Sequence, residues 1–484
     1  MIFTTRKAIA FSVAARYISL LVQFAAMMVL ARLLTPEDIG IYSAGFSIVA
    51  LAHLFRDFGL NQYLIQERNL SRESIVTAFT LTLLISWSLG IVVYLSGGMA
   101  ARFFGEEDIQ GLVQLLSINF FIIPIGSITL ALLRKALKFQ ITSSIAVIAS
   151  ACGVAVSIVT ALDGARYFCL AYGAVTESAA MVLLSQLYRP KDARLGLSLY
   201  GAKKILKFGS IVGVGNIVHR LSISGSDALI AKFLGMSALG FYSRAFGTYS
   251  LFDQLFTSSI SSTILPLFSR ENDNITAMRN NYLKALSYSL IFAWPFFAIL
   301  YLFTSEIMLV LYGPQWGEAV VLVKILCVAG FLVPPILFSD NLFIALGRPD
   351  ITLKIRMVAN LAKLGMVAIA CQFSLKAVCI AIVIFFLLKL LLSISYLWSS
   401  LALRFKPLLK VFCQTLPCLI LSIIPVVLAD YWAAAWLEKN ELLHISIIVC
   451  IAAIGWLSGL LLSKHPFTAE LFAISSKLSG MRAK

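Results

Sequence analysis

Charge is scarce in this sequence. Lys, Arg, Asp and Glu make up 13% of 484 residues while 60% are hydrophobic, and the mean hydropathy is +0.92. Average soluble domains carry roughly 25% charged residues, so a globule built from this chain could not cover itself with polar surface in water. Histidine is scarcer still: His53, His219, His444 and His465 lie far apart along the chain. There is no HExxH, no Walker-type phosphate loop and no GxSxG, which leaves no catalytic pattern and no means of using ATP directly. The eight cysteines (Cys152, Cys169, Cys327, Cys371, Cys379, Cys413, Cys418 and Cys450) all sit in apolar stretches, without CxxC spacing or a neighbouring histidine. They are expected to be free thiols packed as small apolar groups. No enzyme, no cofactor and no metal is expected.

What the chain has in abundance is long apolar runs. A helix crosses a bilayer with about 20 such residues, and runs of that kind fall at 8–31, 39–65, 75–97, 109–133, 141–162, 166–187, 205–231, 238–265, 283–312, 319–346, 352–372, 376–398, 408–432 and 443–463. The expectation is an all-α polytopic membrane protein with about fourteen spans. The basic start Met1–Lys7 has the flank of a signal peptide without a short apolar core ending at a small-residue cleavage site, so it reads as part of a retained first span. Pro124, Pro266, Pro295, Pro334, Pro335, Pro417 and Pro425 fall inside or at the ends of these runs, where helices kink.

The net charge of +16 does not imply nucleic acid here, because basic residues in a membrane protein sort by side. Alternate loops hold nearly all of them, from Arg6 and Lys7 through Arg134, Lys135 and Lys138 to the 188–204 segment and the tail after 463. The opposite loops hold only Arg32, Arg102, Arg166, Lys232, Lys376 and Lys439. Both termini are therefore expected in the cytoplasm, with the Glu106-Glu107-Asp108 turn outside.

The sequence also repeats. Ala31-Arg32-Leu33-Leu34 leads to Gly40, Tyr42, Ser43 and Phe46, and Ala231-Lys232-Phe233-Leu234 leads to Gly240, Tyr242, Ser243 and Phe246, always 200 residues later. Six spans separate the copies, so both point the same way, as in two-lobe transporters related by an axis along the membrane normal. The expected organisation is a lobe of spans 1–6 (residues 1–187), a cytoplasmic linker (188–204) and a second lobe of spans 7–12 (205–398). Two extra spans (399–463) and a cytoplasmic tail (464–484) follow.

Charges deep in a membrane are costly and face a cavity or a partner. The deep ones are Arg16, Arg56, Asp57 and Glu177 in the first lobe and Arg220, Asp227, Asp253, Lys363 and Lys389 in the second; Arg244, Lys324 and Asp340 lie nearer span ends. Arg220, Ser224 and Asp227 share one face of span 7. Ion pairs that fix helix register would account for some of these, yet basic residues outnumber acids, and an anionic ligand uses that excess. Guanidinium groups bind phosphate oxygens bidentately, which makes a pyrophosphate headgroup the natural candidate. Asp57, Asp227, Asp253 and Glu177 are candidate ion or proton sites.

The segment Ala31-Arg32-Leu33-Leu34-Thr35-Pro36-Glu37-Asp38-Ile39-Gly40-Ile41-Tyr42, followed by Asp57-Phe58-Gly59-Leu60 and Leu64-Ile65-Gln66, resembles the polysaccharide-synthase branch of the Wzx oligosaccharide flippases. That branch belongs to the MOP superfamily, which also holds MurJ and the MATE exporters. The resemblance implies two six-helix lobes that rock by alternating access in the bacterial inner membrane. It implies that they flip an undecaprenyl-pyrophosphate-linked repeat unit for capsule, exopolysaccharide or O-antigen (lipopolysaccharide) synthesis, with cavity cations on the pyrophosphate. Arg16, Arg56, Arg220, Arg244 and Lys363 are the positions that fit, and spans 13 and 14 would form a groove for the lipid tail. The implied partners are the lipid-linked oligosaccharide, membrane lipids and a polysaccharide polymerase with its co-polymerase. A MATE-like exporter of small cations would need an acidic cavity, and a membrane-embedded glycan polymerase or ligase a sizeable periplasmic loop.

Overall fold

The structure is a computed structural model, and it describes residues 2–56, 60–67, 70–190, 196–257, 264, 268, 270, 274–403, 405–437, 441–463 and 465–470. The described residues are helical throughout, with no strand. In chain order the helices are α1 (Ile2–Leu33), α2 (Pro36–Arg56), α3 (Leu60–Gln66), α4 (Arg72–Phe104), α5 (Asp108–Lys135), α6 (Phe139–Leu162), α7 (Phe168–Leu187), α8 (Ala202–Leu234) and α9 (Met236–Phe252). They continue with α10 (Ile275–Leu302), α11 (Thr304–Tyr312), α12 (Gly317–Leu332), α13 (Pro334–Leu337), α14 (Ser339–Ala345), α15 (Pro349–Ala370), α16 (Leu375–Leu401), α17 (Phe405–Leu437) and α18 (Glu441–Leu462).

Among the described residues, eleven helices are long and apolar enough to cross a membrane. Three of the fourteen expected runs are not among them. α8 carries Arg220 and Asp227, and α15 carries Lys354, Arg356 and Lys363. α9 has 17 residues before a π-turn at Asp253–Thr257, and most of its expected remainder lies outside the described residues. Two other runs are interrupted: 283–312 breaks at Phe303 between α10 and α11, and 319–346 breaks where Pro334 opens α13. Proline lacks the amide hydrogen that would continue the α12 ladder. Pro124, Pro295, Pro417 and Pro425 sit inside continuous helices, and Pro266 lies outside the described residues.

The chain divides into two compact units, Met1–Ser243 with Val367–Phe373, and Arg244–Met366 with Ser374–Lys484. In the first, α4 pairs with α5, α6 with α7, and α2 packs on both α5 and α8. Its Thr-Pro-Glu-Asp segment has a local physical role. Thr35 N–H and Oγ donate to Asp38 Oδ2 at 3.1 and 2.7 Å, while Asp38 N–H donates to Thr35 Oγ1 at 3.2 Å. That reciprocal cap, with proline in the first turn, starts α2. Arg166 Nε adds a bond to Asp38 Oδ1 at 2.9 Å.

The start of α9 crosses α2 at a close approach that only glycine permits. A Cβ on Gly40 would lie 1.8 Å from the Met236 carbonyl oxygen, and one on Gly240 would lie 1.8 Å from that of Pro36. Ser243 Oγ donates to Ser43 Oγ at 3.0 Å, across the same 200-residue offset. The repeat read in the sequence is thus a local two-fold in space.

The described part of the expected linker lies along α4. Thr77 Oγ1 donates to the Tyr200 carbonyl at 2.8 Å and Ser198 N–H to Thr80 Oγ1 at 3.0 Å. Ile205 then enters a core with Leu60, Leu64, Phe79 and Leu132. In the second unit, α17 and α18 pair, α17 packs on α10, and α12 packs on α16. A core of Phe268, Tyr282, Leu290, Phe338 and Leu397 fills its centre.

Candidate functional site

The first unit encloses a cavity of about 460 Å³ lined by Arg56, Asn61, Ser127, Arg134 and Glu177 among others. Five elements build it. α2 ends on Arg56, and α3 contributes Asn61 and Gln62. α4 gives Thr82. α5 presents Ser127, Leu130, Ala131 and Arg134, and α7 presents Glu177, Ser178, Met181 and Val182. On α5 the spacing i, i+3, i+4, i+7 puts all four on one face.

The neighbours of these residues fix their places. Lys135 Nζ donates to the carbonyls of Leu64, at 3.2 Å, and Glu67, closing the C-terminal end of α3 and leaving Arg134 as the basic residue of that turn on the cavity. α6 runs close beside Glu177: a Cβ on Gly153 would come within 2.8 Å of the Glu177 Cβ. Asn61 Oδ1 is buried with no hydrogen-bond partner.

His53, one turn before Arg56, stacks on Phe120 with ring centroids 4.4 Å apart. Arg56 ends α2 and Arg220 lies on α8, and these two helices pack together. Arg220 is exposed on α8, Ser224 on the same face is buried, and Asp227 is half-buried. Arg16 is exposed on α1. Asp57 lies outside the described residues.

The other expected residues belong to the second unit. Arg244 lies against two rings, its Cζ 5.7 Å from the Tyr312 centroid and 5.4 Å from that of Trp316, and its Nε is buried without a hydrogen-bond partner. Stacking of this kind holds a guanidinium at a fixed place. Lys363 is buried, with Nζ 5.7 Å from the Phe385 centroid. Asp253 is exposed at the start of the π-turn. Asp340 has a plain structural role, accepting from Arg356 Nε at 3.1 Å and Nη2 at 2.9 Å.

The second unit also carries an apolar groove of about 440 Å³, lined by Phe256, Phe292, Phe296, Ile307, Val449 and Trp456. Its walls come from α9 and the π-turn that follows it, α10, α11 and α18, with Ser422 of α17 at the edge. Trp456 Nε1 donates to the Ile291 carbonyl at 2.7 Å, which satisfies the one polar atom of the indole inside an apolar wall. Sequence reasoning placed Arg134 among the loop charges and passed over Asn61. The face shared by Ser127 and Arg134 was the readable signal for the first. Among the described residues no group of histidine, cysteine and carboxylate side chains is placed to hold a metal ion.

Comparison with known proteins agrees with this architecture. Residues 29–321 match the family model described as polysaccharide biosynthesis protein. The chain is 26% identical over 330 residues to the lipopolysaccharide biosynthesis protein WzxC of Escherichia coli (strain K12), covering 68% of this chain and 67% of that one. It is 23% identical over 334 residues to the teichuronic acid biosynthesis protein TuaB of Bacillus subtilis (strain 168), covering 68% of each. The fold is similar to the lipid II flippase MurJ in an inward closed conformation, with a TM-score of 0.76 at 15% identity over 96% of this chain and 100% of that one. It is also similar to an inward-facing MATE family multidrug transporter, with a TM-score of 0.64 at 16% identity over 82% and 98%. The fold is thus one that known transporters share. The chain belongs to the polysaccharide biosynthesis protein family, as a multi-pass membrane protein of its Wzx- and TuaB-like branch.

Proposed function

We propose that this chain flips an undecaprenyl-pyrophosphate-linked oligosaccharide from the cytoplasmic to the periplasmic leaflet by alternating access, for exopolysaccharide, capsule or O-antigen synthesis. Its fourteen spans form two six-helix lobes and two added helices, with both termini in the cytoplasm. The observation that carries the reading is the cavity whose described lining holds Arg56 and Arg134 and, among acids, Glu177 alone. Two guanidinium groups suit a pyrophosphate, which offers acceptors only. The aromatic groove beside α18 suits an isoprenoid chain, since nearly all of its lining is apolar. WzxC and TuaB are named for polysaccharide biosynthesis and MurJ for flipping lipid II, and this chain shares family or fold with each. The fold is also that of MATE exporters, but a cationic cargo calls for an acidic cavity, and in the described lining bases outnumber acids.

Arg56, together with Arg134 of the cavity, holds the pyrophosphate in this proposal, with Arg16 and Arg220 as its expected companions and Arg244 and Lys363 as further cations of the path. Asp57, Glu177, Asp227 and Asp253 are its ion-coupling candidates. A charge-assisted bond contributes about 1.5–3 kcal/mol, so alanine at Arg16, Arg56 or Arg220 weakens substrate binding roughly tenfold or more, and lysine restores part of it. The test is complementation of polysaccharide export, read beside the amount of protein in the membrane. Normal export by well-accumulated alanine variants at all three positions overturns the site. Coupling is tested in vesicles, because a potential of 100 mV contributes about 2.3 kcal/mol per charge moved. Flipping that persists unchanged after every gradient is collapsed refutes it.

A further inference from the structure

The wall that α10 gives to the apolar groove of the second unit does not stay apolar along its whole length. Lys284, Tyr288, Phe292 and Phe296 follow one another at intervals of four, which stacks them on successive turns of one side of α10. Phe292 and Phe296 line the groove. Lys284 and Tyr288 carry the same stripe on to an ammonium and a phenol hydroxyl, so two strong donors stand at the end of an apolar path. That is the complement of a lipid, with a place for the chain and, beyond it, a place for an anionic head.

The chain fills this place with a piece of itself. Beyond α18 the segment 465–470 lies against α10, and there a single oxygen, Glu470 Oε1, accepts from Lys284 Nζ at 2.8 Å and from the Tyr288 hydroxyl at 2.7 Å. Phe467 turns its ring edge to face with Tyr288 and Phe292, the centroids 5.2 and 5.4 Å apart, and lies 6.4 Å from the Trp456 ring. Phe292 and Trp456 are both walls of the groove. An aromatic ring against the groove and a carboxylate on its two donors thus reproduce the chain and the head of an anionic lipid. His465 is the fixed point of the segment: it is buried, its Nδ1 accepts from Phe467 N–H at 3.2 Å, and its other ring nitrogen pairs with Ser287. The outer contact is the weaker one. The Lys284 and Glu470 side chains are 51% and 46% exposed, and an ion pair so open holds little. A phosphate on the same donors brings more charge and more acceptor oxygens than a carboxylate, so it displaces Glu470.

We propose that the segment 465–470 is an autoinhibitory latch, a lipid mimic that occupies one end of the groove until the phosphate of an isoprenoid lipid takes Lys284 and Tyr288 from Glu470 and the lipid's chain takes the place of Phe467. The proposal rests on the reading of the groove as an isoprenoid site and adds its regulation. A bulk phospholipid does not suit the role, because by mass action a ligand as concentrated as the leaflet itself holds such a latch open at all times. A latch has a use only against a scarce ligand. It also lowers apparent affinity, since the binding-competent state is only the open fraction, so removing the latch tightens binding.

The experiment reads binding and hydrogen exchange together on the full-length protein in phosphatidylcholine nanodiscs. Its probes are farnesyl phosphate, farnesol as the chain without a head, and a second set of nanodiscs enriched in phosphatidylglycerol. Farnesyl phosphate speeds exchange of the Phe467 and Thr468 amides about tenfold, and farnesol and phosphatidylglycerol leave it nearly unchanged. Glu470→Gln and Phe467→Ala bind farnesyl phosphate about tenfold more tightly than the wild type, and adding Lys284→Ala to Glu470→Gln abolishes that gain. A gain of affinity on removing a contact is not the product of a folding defect. Unchanged or weaker binding by both Glu470→Gln and Phe467→Ala overturns the latch and leaves the flippase reading standing, as does opening by farnesol or phosphatidylglycerol to the extent that farnesyl phosphate opens it. Failure of the wild type and of both variants alike to bind farnesyl phosphate overturns the isoprenoid reading of the groove and the latch with it.

Discussion

Gly40→Ala is the sharpest test of the crossing between the two repeat copies. The added methyl would stand 1.8 Å from the Met236 carbonyl oxygen and 2.5 Å from its carbon. A weak C–H···O contact needs about 3.3 Å, so α2 and the start of α9 must part by roughly 1.5 Å. No flexible side chain is there to yield, since both obstructing atoms are backbone. Parting also stretches the Ser43–Ser243 hydrogen bond from 3.0 Å beyond bonding distance. Overpacking costs about 1–3 kcal/mol and the lost bond about 1 kcal/mol. The closed crossing is thus disfavoured by about 2–4 kcal/mol, a factor of roughly 30 to 1,000.

The assay is a disulfide between Ser43→Cys and Ser243→Cys, whose sulfurs need to come within about 2.05 Å, counted by maleimide mass tags against the native cysteines. It forms readily under mild oxidation in the parent and slowly when Gly40→Ala or Gly240→Ala is added. Equal crosslinking rates in well-folded parent and alanine variants refute the reasoning. The same crosslink asks whether the crossing opens during transport. Export stops on oxidation and returns with reductant if it does; full export by the oxidised protein shows that the crossing stays shut.

Reporter fusions after Glu107 and after Lys484 are expected on opposite sides of the membrane, and the same side for both refutes the topology drawn from the basic loops. Asp38→Ala removes the cap of α2 and leaves Thr35 and Arg166 without their acceptor, so it lowers thermal stability in detergent by about 1–3 kcal/mol. Arg166→Ala costs less, about 1 kcal/mol or below, because that side chain is 56% exposed; the reverse order counts against the capping account. The segment 465–470 is expected to loosen in acid. His465 is buried, and burial pushes its pKa down from 6.5 to about 4. Its Nδ1 accepts from Phe467 N–H at 3.2 Å, so the neutral ring carries its proton on Nε2, facing Ser287. An unfolded histidine protonates first as pH falls, so the stability is present in full above pH 6.5 and is lost down to about pH 4, at most roughly 3 kcal/mol. Hydrogen exchange of the segment read between pH 7.5 and 4.5 shows the loss, and His465→Asn flattens the profile; an unchanged slope in that variant refutes the assignment.

The helices were legible because lipid enforces them: in a medium without water every backbone amide must bond within its own segment, so apolar length alone marks most of them. The places where that logic falters are chemical. α8 and α15 fall short of the apolar threshold because Arg220, Asp227, Lys354, Arg356 and Lys363 ride on them, and the break before α13 follows from Pro334 at its first position. The repeat was legible as identity at a fixed offset, but its purpose was not. Only in three dimensions do Gly40 and Gly240 each meet the carbonyl of the residue that begins the other's helix.

The cavity was legible by half. Arg56 and Glu177 announced themselves as charges inside apolar runs, where each carries a cost that needs a reason. Arg134 did not, because a basic residue at a helix end already has a sufficient explanation in the positive-inside rule, and that explanation concealed a second use. Asn61, Thr82 and Ser127 were invisible for a different reason. A neutral side chain on a membrane helix can satisfy its own backbone, as Thr82 and Ser127 do with the carbonyls of Ala78 and Pro124. Sequence therefore cannot separate a hydroxyl that merely closes on its helix from one that also lines a cavity. That distinction is made by the neighbouring helices, when α3, α4, α5 and α7 close around one volume.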